Sequence, residues 1–440
     1  MALFGTDGVR GLANHDLTAE LALDLAVSAA HILAERGAFS GHRPRAIVGQ
    51  DSRASGEFLE AAVVAGLASA GVDVYRVGVL PTPGVAYLVA ESGADLGVMI
   101  SASHNPMPDN GIKFFSKGGE KLDDALEAAI ESRLKEGWDR PTGRDVGRVV
   151  DDDSAAERYM FHLLSSLSKP LTGITVVVDC ANGASSKIAP EAYRRAGAEV
   201  HAISHSPNGW NINENCGSTH LENLIAAVKS IGADIGIAHD GDADRCLAID
   251  AQGNVVDGDF IMAILASQWK VPTIVGTVMS NLGFIKAMEN IDIKVETTAV
   301  GDRYVLEKML ANNLQLGGEQ SGHIIMRKFA NTGDGVLTAL QLMQCMAISG
   351  ESLSDLAKVM KRYPQVLINV KDINKSELHH SEKIREEIAQ LDKTLNGRGR
   401  ILVRASGTES LVRVMVEAES NAEADEIAVK LAEIVRSELS

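Results

Sequence analysis

Residues 45–78, RAIVGQDSRASGEFLEAAVVAGLASAGVDVYRVG, indicate the fold class of this chain. The pattern predicts an apolar strand at 45–49, a helix with apolar residues at helical spacing at 57–70, and a second strand at 72–78. A helix between two short apolar strands is typical of a βαβ unit. The segment therefore predicts a largely parallel sheet covered by helices.

The same alternation of strands and helices recurs on both sides of that segment. A helix is predicted over 18–36, with Thr18 as its N-cap and Gly37 just beyond its end. Further buried strands are predicted at 95–100, 174–179, 199–204 and 234–240. The pattern starts again near Pro272. Such repetition indicates several α/β domains rather than one.

The chain beyond Tyr363–Pro364 has a different character, with short strands around a charged helix near 381–393 and a last helix over 421–437. We therefore predict an α/β fold of three similar domains with mixed or parallel sheets, followed by a smaller C-terminal α+β domain. The predicted domains are 1–150, 151–256, 257–363 and 364–440.

Composition and charge exclude several classes of function. The 440 residues include 42 Lys+Arg and 59 Asp+Glu, which gives a formal net charge of −17, and aromatic residues make up only 4%. Both features argue against binding to nucleic acid. Four separated cysteines without a C-x-x-C pair indicate reduced thiols. No uncharged apolar run reaches about 18 residues. We expect a cytoplasmic protein without a nucleic-acid or membrane partner.

Polar, glycine-rich loops follow several predicted strands, where the active sites of α/β domains lie. The first such loop is 101–106, and we expect it to continue through 109–113, so that Lys113 comes from the same loop. Ser103, beside His104, is a candidate nucleophile or phosphate carrier. The surrounding residues do not form a G-x-S-x-G elbow, which argues against an α/β-hydrolase. An Asn-Pro turn with hydrogen-bonding serines is the structural alternative.

The second loop, DGDADR (240–245), carries three carboxylates at alternate positions. Asp240, Asp242 and Asp244 can converge on one divalent cation, and Mg²⁺ fits better than Zn²⁺ because every ligand atom is a hard oxygen. Arg245 and Ala251 occupy positions where an EF-hand needs Gly and Glu, so that motif is excluded. A solvated acidic turn is the alternative, although three like charges this close repel one another.

The third and fourth loops carry groups that suit a phosphosugar. In GEQSGH (318–323), Glu319 and Ser321 can bind sugar hydroxyls or an amine, and His323 can transfer a proton near neutral pH. A strand bulge is the alternative there. In the fourth loop, RASGTE (404–409), hydroxyls, backbone N–H groups and arginines suit a phosphate dianion. Its candidate ligands are Arg404, Ser406, Gly407, Thr408 and Arg413. A hairpin with solvated arginines is the alternative.

Six motifs in this order resemble the α-D-phosphohexomutase superfamily across essentially the whole chain. They are FGTDGVRG (4–11), ISASHNP (100–106), DGDADR (240–245), GGEQSGH (317–323), NTGDG (331–335) and RASGTE (404–409). Gln320 and the stretch VGDRYV (300–305) resemble the glucosamine branch of that superfamily. The resemblance implies four domains arranged around a central cleft.

The resemblance implies an isomerase that interconverts glucosamine 6-phosphate and glucosamine 1-phosphate and so supplies UDP-N-acetylglucosamine for cell-wall synthesis. Ser103 would donate a phosphoryl group to the sugar. The resulting glucosamine 1,6-bisphosphate would then reorient in the site and transfer its other phosphoryl group back to Ser103. A sugar bisphosphate is the expected activator, and a phosphosugar is the expected small-molecule partner. The sequence leaves a homodimer open.

The resemblance also implies roles for individual residues. The phosphoserine and the three aspartates would hold one Mg²⁺ per subunit, which offsets the roughly −1.5 to −2 charge of the phosphate. For proton transfer we expect Lys113 and His323 ahead of His104, with Arg10 as the electrostatic partner of the transferring phosphoryl group. Arg303, in VGDRYV, is a further expected substrate ligand.

Two positions depart from the superfamily pattern. Ser410 stands where Pro usually follows the Glu of the fourth loop, and Gln50 stands where Lys or Arg is usual. Gln50 is therefore not counted as a phosphate ligand, and Arg53 is kept as a supporting residue. The remaining alternatives are a phosphomannomutase or phosphoglucomutase, a metal-dependent phosphatase, and a phosphosugar-binding protein without activity. The last would not need both an exposed serine and three clustered carboxylates.

Overall fold

The computed structural model describes residues 3–5, 7–37, 41–406 and 411–440. The strands of these ranges are β1 Phe4–Gly5, β2 Gly8–Leu12, β3 Arg45–Gln50, β4 Asp73–Val79, β5 Leu96–Ile100, β6 Asp109–Ser116, β7 Val149–Asp151, β8 Thr175–Asp179, β9 Glu199–Ile203, β10 Ile235–Ala238, β11 Leu247–Asp250, β12 Val255–Val256, β13 Thr273–Thr277, β14 Lys294–Thr298, β15 Leu316–Gly318, β16 Ile324–Met326, β17 Gln365–Lys371, β18 Arg400–Ala405 and β19 Leu411–Glu417.

The α-helices of the same ranges are α1 Ala19–Glu35, α2 Ser55–Ser69, α3 Thr82–Ser92, α4 Asp124–Ser132, α5 Ala155–Ser165, α6 Ser185–Arg195, α7 Glu222–Ile231, α8 Gly258–Trp269, α9 Leu282–Glu289, α10 Asp302–Ala311, α11 Gly335–Ser349, α12 Leu353–Leu356, α13 Glu382–Leu395 and α14 Asn421–Leu439. The fold divides into two compact units. One comprises the chain up to Met279 together with Ile293–Val359, and the other comprises Ser280–Asp292 and Met360–Ser440.

Three mixed sheets form the first unit. The strand orders are β1-β2-β6-β5-β3-β4-β7, β12-β11-β10-β8-β9 and β14-β13-β15-β16. In the first sheet β3 pairs in parallel with both β4 and β5, as the βαβ pattern predicts. Antiparallel strands then extend each sheet: β6 beside β5, β11 beside β10, and β16 beside β15. The predicted fold class of mixed and parallel sheets is confirmed.

Apolar side chains from α1, α2 and the central strands form the core beneath the first sheet. Leu25, Leu59, Val48 and Val98 are all fully buried in it. Helix α1 begins where the sequence predicts, because the Thr18 side chain accepts a hydrogen bond from the backbone N–H of Leu21. This core holds the carboxyl ends of β3 and β5 side by side, so that the loops following them meet.

One segment differs from the sequence interpretation. Residues 109–113 were expected to continue the serine loop, but Asp109–Ser116 is a strand that pairs antiparallel with both β2 and β5. The apolar run IKFF, with Phe115 fully buried, explains this strand. Lys113 therefore lies on a rigid strand rather than on a loop.

The second unit has a three-stranded antiparallel sheet in the order β17-β19-β18. Helices α13 and α14 contribute to its separate core, in which Leu395, Val414 and Leu431 are fully buried. This unit agrees with the predicted C-terminal α+β character. Among the helices of the described chain, none combines the length and the apolar character needed to cross a membrane.

Candidate active site

Ser103 lies in the loop that follows β5 and has an unusual backbone conformation. Its φ angle is +50°, in the left-handed region that costs a non-glycine residue about 1–2 kcal/mol. The residue is 1% exposed. Its N–H donates to Ser101 Oγ at 2.9 Å, and its carbonyl accepts from Asn213 Nδ2 at 2.8 Å. The loop thus holds Ser103 in one orientation despite the local strain.

Arg53 stabilises the same loop by hydrogen bonds to its backbone. Its guanidinium donates to the carbonyl oxygens of Ser103, Asn105 and Pro106, at 3.0, 2.8 and 2.6 Å. Its Nε lies 3.0 Å from Asp51 Oδ2, and both side chains are fully buried. One arginine therefore binds three carbonyl oxygens of the loop that carries the candidate nucleophile. The sequence interpretation of Arg53 as a supporting residue agrees with this placement.

The structure brings the three predicted metal ligands together beside Ser103. One carboxylate oxygen from each of Asp240, Asp242 and Asp244 lies within 4.8 Å of the others. The Ser103 hydroxyl donates to Asp240 Oδ2 at 2.5 Å. Two oxygens, Asp242 Oδ1 and Asp244 Oδ1, are buried without a hydrogen-bond partner. Converging, unsatisfied hard oxygens are what a Mg²⁺ ion needs, so the residues present fit this cation.

The electrostatics of the trio also favour a cation. Burial raises the pKa of Asp240 to about 8, and the charges of Asp244 and Asp242 add to this effect. Burial also acts on Asp244, but His323, Lys113 and Arg245 outweigh it and hold the pKa of that carboxyl below its usual range. The cluster cannot be fully ionised without compensating positive charge.

Lys113 supplies part of that charge. Its Nζ lies 2.8 Å from Asp242 Oδ2 and 2.8 Å from Asp7 Oδ2. Burial lowers the pKa of Lys113, but the attraction of Asp242 and Asp7 is larger and raises it above the ordinary value. The side chain is therefore an ammonium ion, which suits it to offsetting phosphate charge.

The two predicted histidines lie in different environments. His104 Nδ1 is 3.4 Å from Ser103 Oγ, and burial together with Arg245 and Arg10 lowers its pKa to about 4. Burial acts in the same direction on His323, but Asp244 and other carboxylates outweigh it and raise the pKa to about 9. The Gly333 nitrogen lies 3.1 Å from His323 Nε2, and Asp244 Oδ2 lies 3.5 Å from His323 Nδ1.

The predicted sugar-binding residues lie next to each other after β15. Glu319 Oε1 accepts from the N–H of Gly301 at 3.0 Å, and Ser321 Oγ donates to Glu319 Oε2 at 3.4 Å. Burial lowers the pKa of Arg245, but the negative charges of Asp240, Asp244 and Glu319 together outweigh it and raise that pKa. The loop at 318–323 therefore lies close to the loop at 240–245, as the hypothesis that both belong to one active site requires.

Two further predicted ligands have identified partners. Arg10 forms an ion pair with Asp7 and donates from Nη1 to Asn105 Oδ1 at 3.4 Å, which places it beside the serine loop. Arg303 instead binds Asp124 and the carbonyl oxygen of Leu122. The structure thus brings Arg10 to the other site residues, while Arg303 is held at a contact between α10 and the start of α4.

The predicted phosphate loop lies in the second unit. Arg404 on β18 pairs directly with Arg413 on β19. Burial lowers the pKa of Arg404, and the positive charge of Arg413 lowers it further. Two arginines opposite each other repel, which favours an anion between them. Ser406 is buried and its carbonyl accepts from Lys375 Nζ at 2.7 Å. Gly407 and Thr408 lie outside the described residues.

Several residues of the site were missed in the sequence. They are Asp7, Asp51, Thr82, Asn213 and Arg245. Thr82 donates from Oγ1 to Asp242 Oδ2 at 2.6 Å, although 160 positions separate the two residues. Such pairings leave no local pattern. Asp7 and Arg245 had a signal, since each lies inside one of the six motifs.

Family models match the chain in four consecutive parts. Three are described as phosphoglucomutase/phosphomannomutase alpha/beta/alpha domains I, II and III, and they match residues 1–140, 157–253 and 257–363. The fourth, the C-terminal domain of the same family, matches residues 367–434.

Curated relatives are similar over nearly the whole chain. A phosphoglucosamine mutase of Streptomyces griseus is 59% identical over 448 residues, covering 99% of this chain and 99% of the relative. A phosphoglucosamine mutase of Acidothermus cellulolyticus is 60% identical over 443 residues, covering 99% and 96%.

Solved structures share the fold at low identity. A phosphoglucomutase/phosphomannomutase family protein from Burkholderia thailandensis is 22% identical with a TM-score of 0.80, covering 98% of each chain. An N-acetylphosphoglucosamine mutase of Aspergillus fumigatus, crystallised with GlcNAc-6P and magnesium, is 19% identical with a TM-score of 0.67, covering 100% of this chain and 96% of that one.

Proposed function

The chain belongs to the phosphoglucomutase/phosphomannomutase family, and from this premise we propose that it interconverts glucosamine 6-phosphate and glucosamine 1-phosphate. The names of the relatives support the glucosamine substrate. One observation carries the chemistry: the Ser103 hydroxyl lies 2.5 Å from Asp240 within a cluster of three buried carboxylates. A serine beside a cation site is suited to carry a phosphoryl group.

In the proposed reaction Ser103 begins as phosphoserine. Its P–Oγ bond breaks as a bond forms to one sugar oxygen, which gives glucosamine 1,6-bisphosphate and a serine hydroxyl. The bisphosphate then reorients in the site, and Ser103 Oγ attacks its other phosphate. Phosphoserine is restored and the isomeric monophosphate leaves. In the first transfer the sugar hydroxyl loses a proton and the leaving Ser103 Oγ gains one. In the second transfer Ser103 Oγ loses that proton and the leaving sugar oxygen gains one.

The carboxylates of Asp240, Asp242 and Asp244 and the phosphate on Ser103 would hold Mg²⁺, which supplies positive charge to the phosphoryl group. Lys113 and Arg10 add fixed positive charge on the same side of the site. For proton transfer we propose His323 first, with Lys113 and His104 as further candidates. The raised pKa of His323, about 9, favours a role as proton donor at neutral pH.

Binding of the sugar and of the phosphate that does not react is proposed for separate groups. Glu319 and Ser321 would bind sugar hydroxyls, and Glu319 would also attract the amine. Arg404, Ser406, Gly407, Thr408 and Arg413 would bind the second phosphate in either orientation of the bisphosphate. Because that phosphate is remote from the bond being made, its binding energy serves to position the reacting oxygen.

The proposal includes several finer points. We propose the four domains 1–150, 151–256, 257–363 and 364–440, a sugar bisphosphate as activator, and a free phosphosugar as the partner in the cytoplasm. A homodimer is one assembly to test by sedimentation. The product would serve UDP-N-acetylglucosamine and cell-wall synthesis.

A substrate comparison tests the proposed function. The purified protein is assayed with Mg²⁺ and a trace of sugar bisphosphate on the 6-phosphates of glucosamine, mannose and glucose, with Ser103→Ala as the control. We expect the highest kcat/KM with glucosamine 6-phosphate and no turnover by the control. A higher kcat/KM with mannose or glucose phosphate would assign the chain to the other branch, and phosphate release without isomerisation would make it a phosphatase.

A further inference from the structure

A network of ion pairs links two of the proposed site residues, Arg10 and His323, by way of Lys121 and Asp302, which lie outside the six motifs. Lys121 forms ion pairs with both Asp7 and Asp302. Asp7 in turn pairs with Arg10, and Asp302 Oδ2 lies 3.4 Å from His323 Nε2. The side chain of Lys121 is only 17% exposed. These ion pairs therefore form a network that runs from Arg10 to His323, with Lys121 at its centre.

These residues come from separate parts of the first unit. Asp7 precedes β2, Lys121 lies between β6 and α4, and Asp302 is the first residue of α10. Lys121 is 114 positions from Asp7 and 181 positions from Asp302. One cation thus joins the residue before β2, the strand that carries Arg10, to the start of α10, where Asp302 lies beside His323.

The network closes into a ring through Lys113 and Asp244. Lys113 contacts both Asp7 Oδ2 and Asp242 Oδ2 at 2.8 Å and lies 3.9 Å from Asp244 Oδ2. His323 Nδ1 lies 3.5 Å from the same oxygen of Asp244. The members of this ring, which we call the charged ring, are Asp7, Lys121, Asp302, His323, Asp244 and Lys113.

We propose that Lys121 and Asp302 are positioning residues for the phosphoryl transfer. This inference rests on the proposed function. Neither residue contacts Ser103 or a metal-site aspartate in the structure described; Lys121 acts through Asp7 on Arg10 and Lys113, and Asp302 acts on His323. Reaction geometry is sensitive to such support, since a shift of about 1 Å in a reacting group can reduce the rate about 10²-fold.

The competing interpretation is that Lys121 merely balances the charge of two carboxylates. Removing one partner of a buried ion pair leaves an uncompensated charge, whereas removing both partners is often close to neutral for stability. The double variant separates the two interpretations. In Lys121→Met/Asp302→Asn one positive and one negative charge are lost together, and Asp7 keeps Lys113 and Arg10 as partners.

The chain offers a matched control. Arg158 likewise joins two carboxylates, Asp152 and Glu91, and its side chain is 30% exposed. It lies on α5 and contacts none of the ring residues. Arg158→Met therefore removes a bridging cation of the same unit without touching the charged ring.

The experiment measures kcat, KM and the thermal midpoint of wild type, Lys121→Met, Asp302→Asn, the double variant and Arg158→Met. We expect kcat to fall about 10-fold to 10²-fold in the three ring variants, with a smaller change in KM, and to stay within twofold of wild type in Arg158→Met. The double variant should recover the thermal midpoint lost in Lys121→Met but not its kcat.

Recovery of kcat together with the thermal midpoint in the double variant would overturn the inference, because charge balance alone would then explain the ring. An unchanged kcat in Asp302→Asn would also overturn it. Each variant is compared with wild type on whichever phosphohexose wild type converts fastest. Failure of the glucosamine assignment therefore appears in the wild-type substrate ranking, whereas failure of this inference appears in the ratio of variant to wild type.

Discussion

Replacing Arg53 by Met tests how the loop of Ser103 is held. The change removes a buried guanidinium that binds three carbonyl oxygens and Asp51. The carbonyl oxygens of Ser103 and Asn105 keep Asn213 as a donor, and that of Pro106 keeps the N–H of Asp109. The main loss is therefore the counter-charge of Asp51, whose side chain is fully buried.

The expected loss in the free energy of unfolding follows from the unpaired carboxylate of Asp51. Leaving a buried charge unpaired costs about 3–5 kcal/mol. Protonation limits the loss, because protonating a carboxyl of pKa about 3.9 at pH 7 requires about 4 kcal/mol. At pH 5 the same step requires only about 1.5 kcal/mol. We therefore expect Arg53→Met to lower the free energy of unfolding by about 4 kcal/mol at pH 7 and by markedly less at pH 5.

The pH dependence has a definite sign. Burial already raises the pKa of Asp51, and the charge of Arg53 lowers it, so the pKa rises further in the variant. A group whose pKa is raised on folding stabilises the fold below its unfolded pKa, and this contribution is lost as pH rises through the folded pKa. The stability of the variant should thus decrease from pH 5 to pH 7 relative to wild type.

Urea unfolding at both pH values measures this effect, and intact-mass analysis measures phosphate on Ser103. The double variant Asp51→Asn/Arg53→Met should recover most of the lost stability at pH 7, because no carboxylate is left unpaired. Both variants should carry less phosphate, since the carbonyl oxygen of Ser103 loses one of the two side chains that hold it. A loss below about 1 kcal/mol at pH 7, or a loss that is equal at both pH values, would refute the reasoning.

Three further predictions concern the proposed chemistry. Peptide mapping of active protein should place the phosphate on Ser103, and Ser103→Ala should abolish turnover; stoichiometric phosphate on Ser101 would contradict this. EDTA should abolish activity reversibly, and Asp242→Asn should weaken Mg²⁺ binding measured by calorimetry, so an unchanged rate and Mg²⁺ dependence would exclude the metal site. Arg404→Ala should lower kcat/KM about 10²-fold in both directions of the reaction, because a charge-assisted contact contributes about 1.5–3 kcal/mol. Phosphorylation of Ser103 should persist. A defect in only one direction would contradict a role in both orientations of the bisphosphate.

Local pattern was sufficient for most of the fold. The βαβ arrangement at 45–78 and the helix that starts after Thr18 were predictable because strand and helix periodicity and capping depend on neighbouring residues. Strand β6 was mistaken for part of a loop, because the polar residues Asp109 and Asn110 at its start resemble a turn. Its pairing with β2 and β5, which makes it a strand, involves residues far away in the sequence.

The candidate nucleophile and the metal trio were also predictable, since each lies in a short motif whose chemistry depends on residue type and spacing. The sequence alone therefore determined the fold class, Ser103 and the three aspartates as candidates, and the acidic character of the chain. Only the tertiary structure decided which of these groups meet. The Ser103–Asp240 contact joins residues 137 positions apart, and Lys121 joins residues farther apart still. The left-handed conformation of Ser103, its support by Arg53 and the charged ring arise from how the sheets of the first unit pack together, and no local pattern encodes that packing.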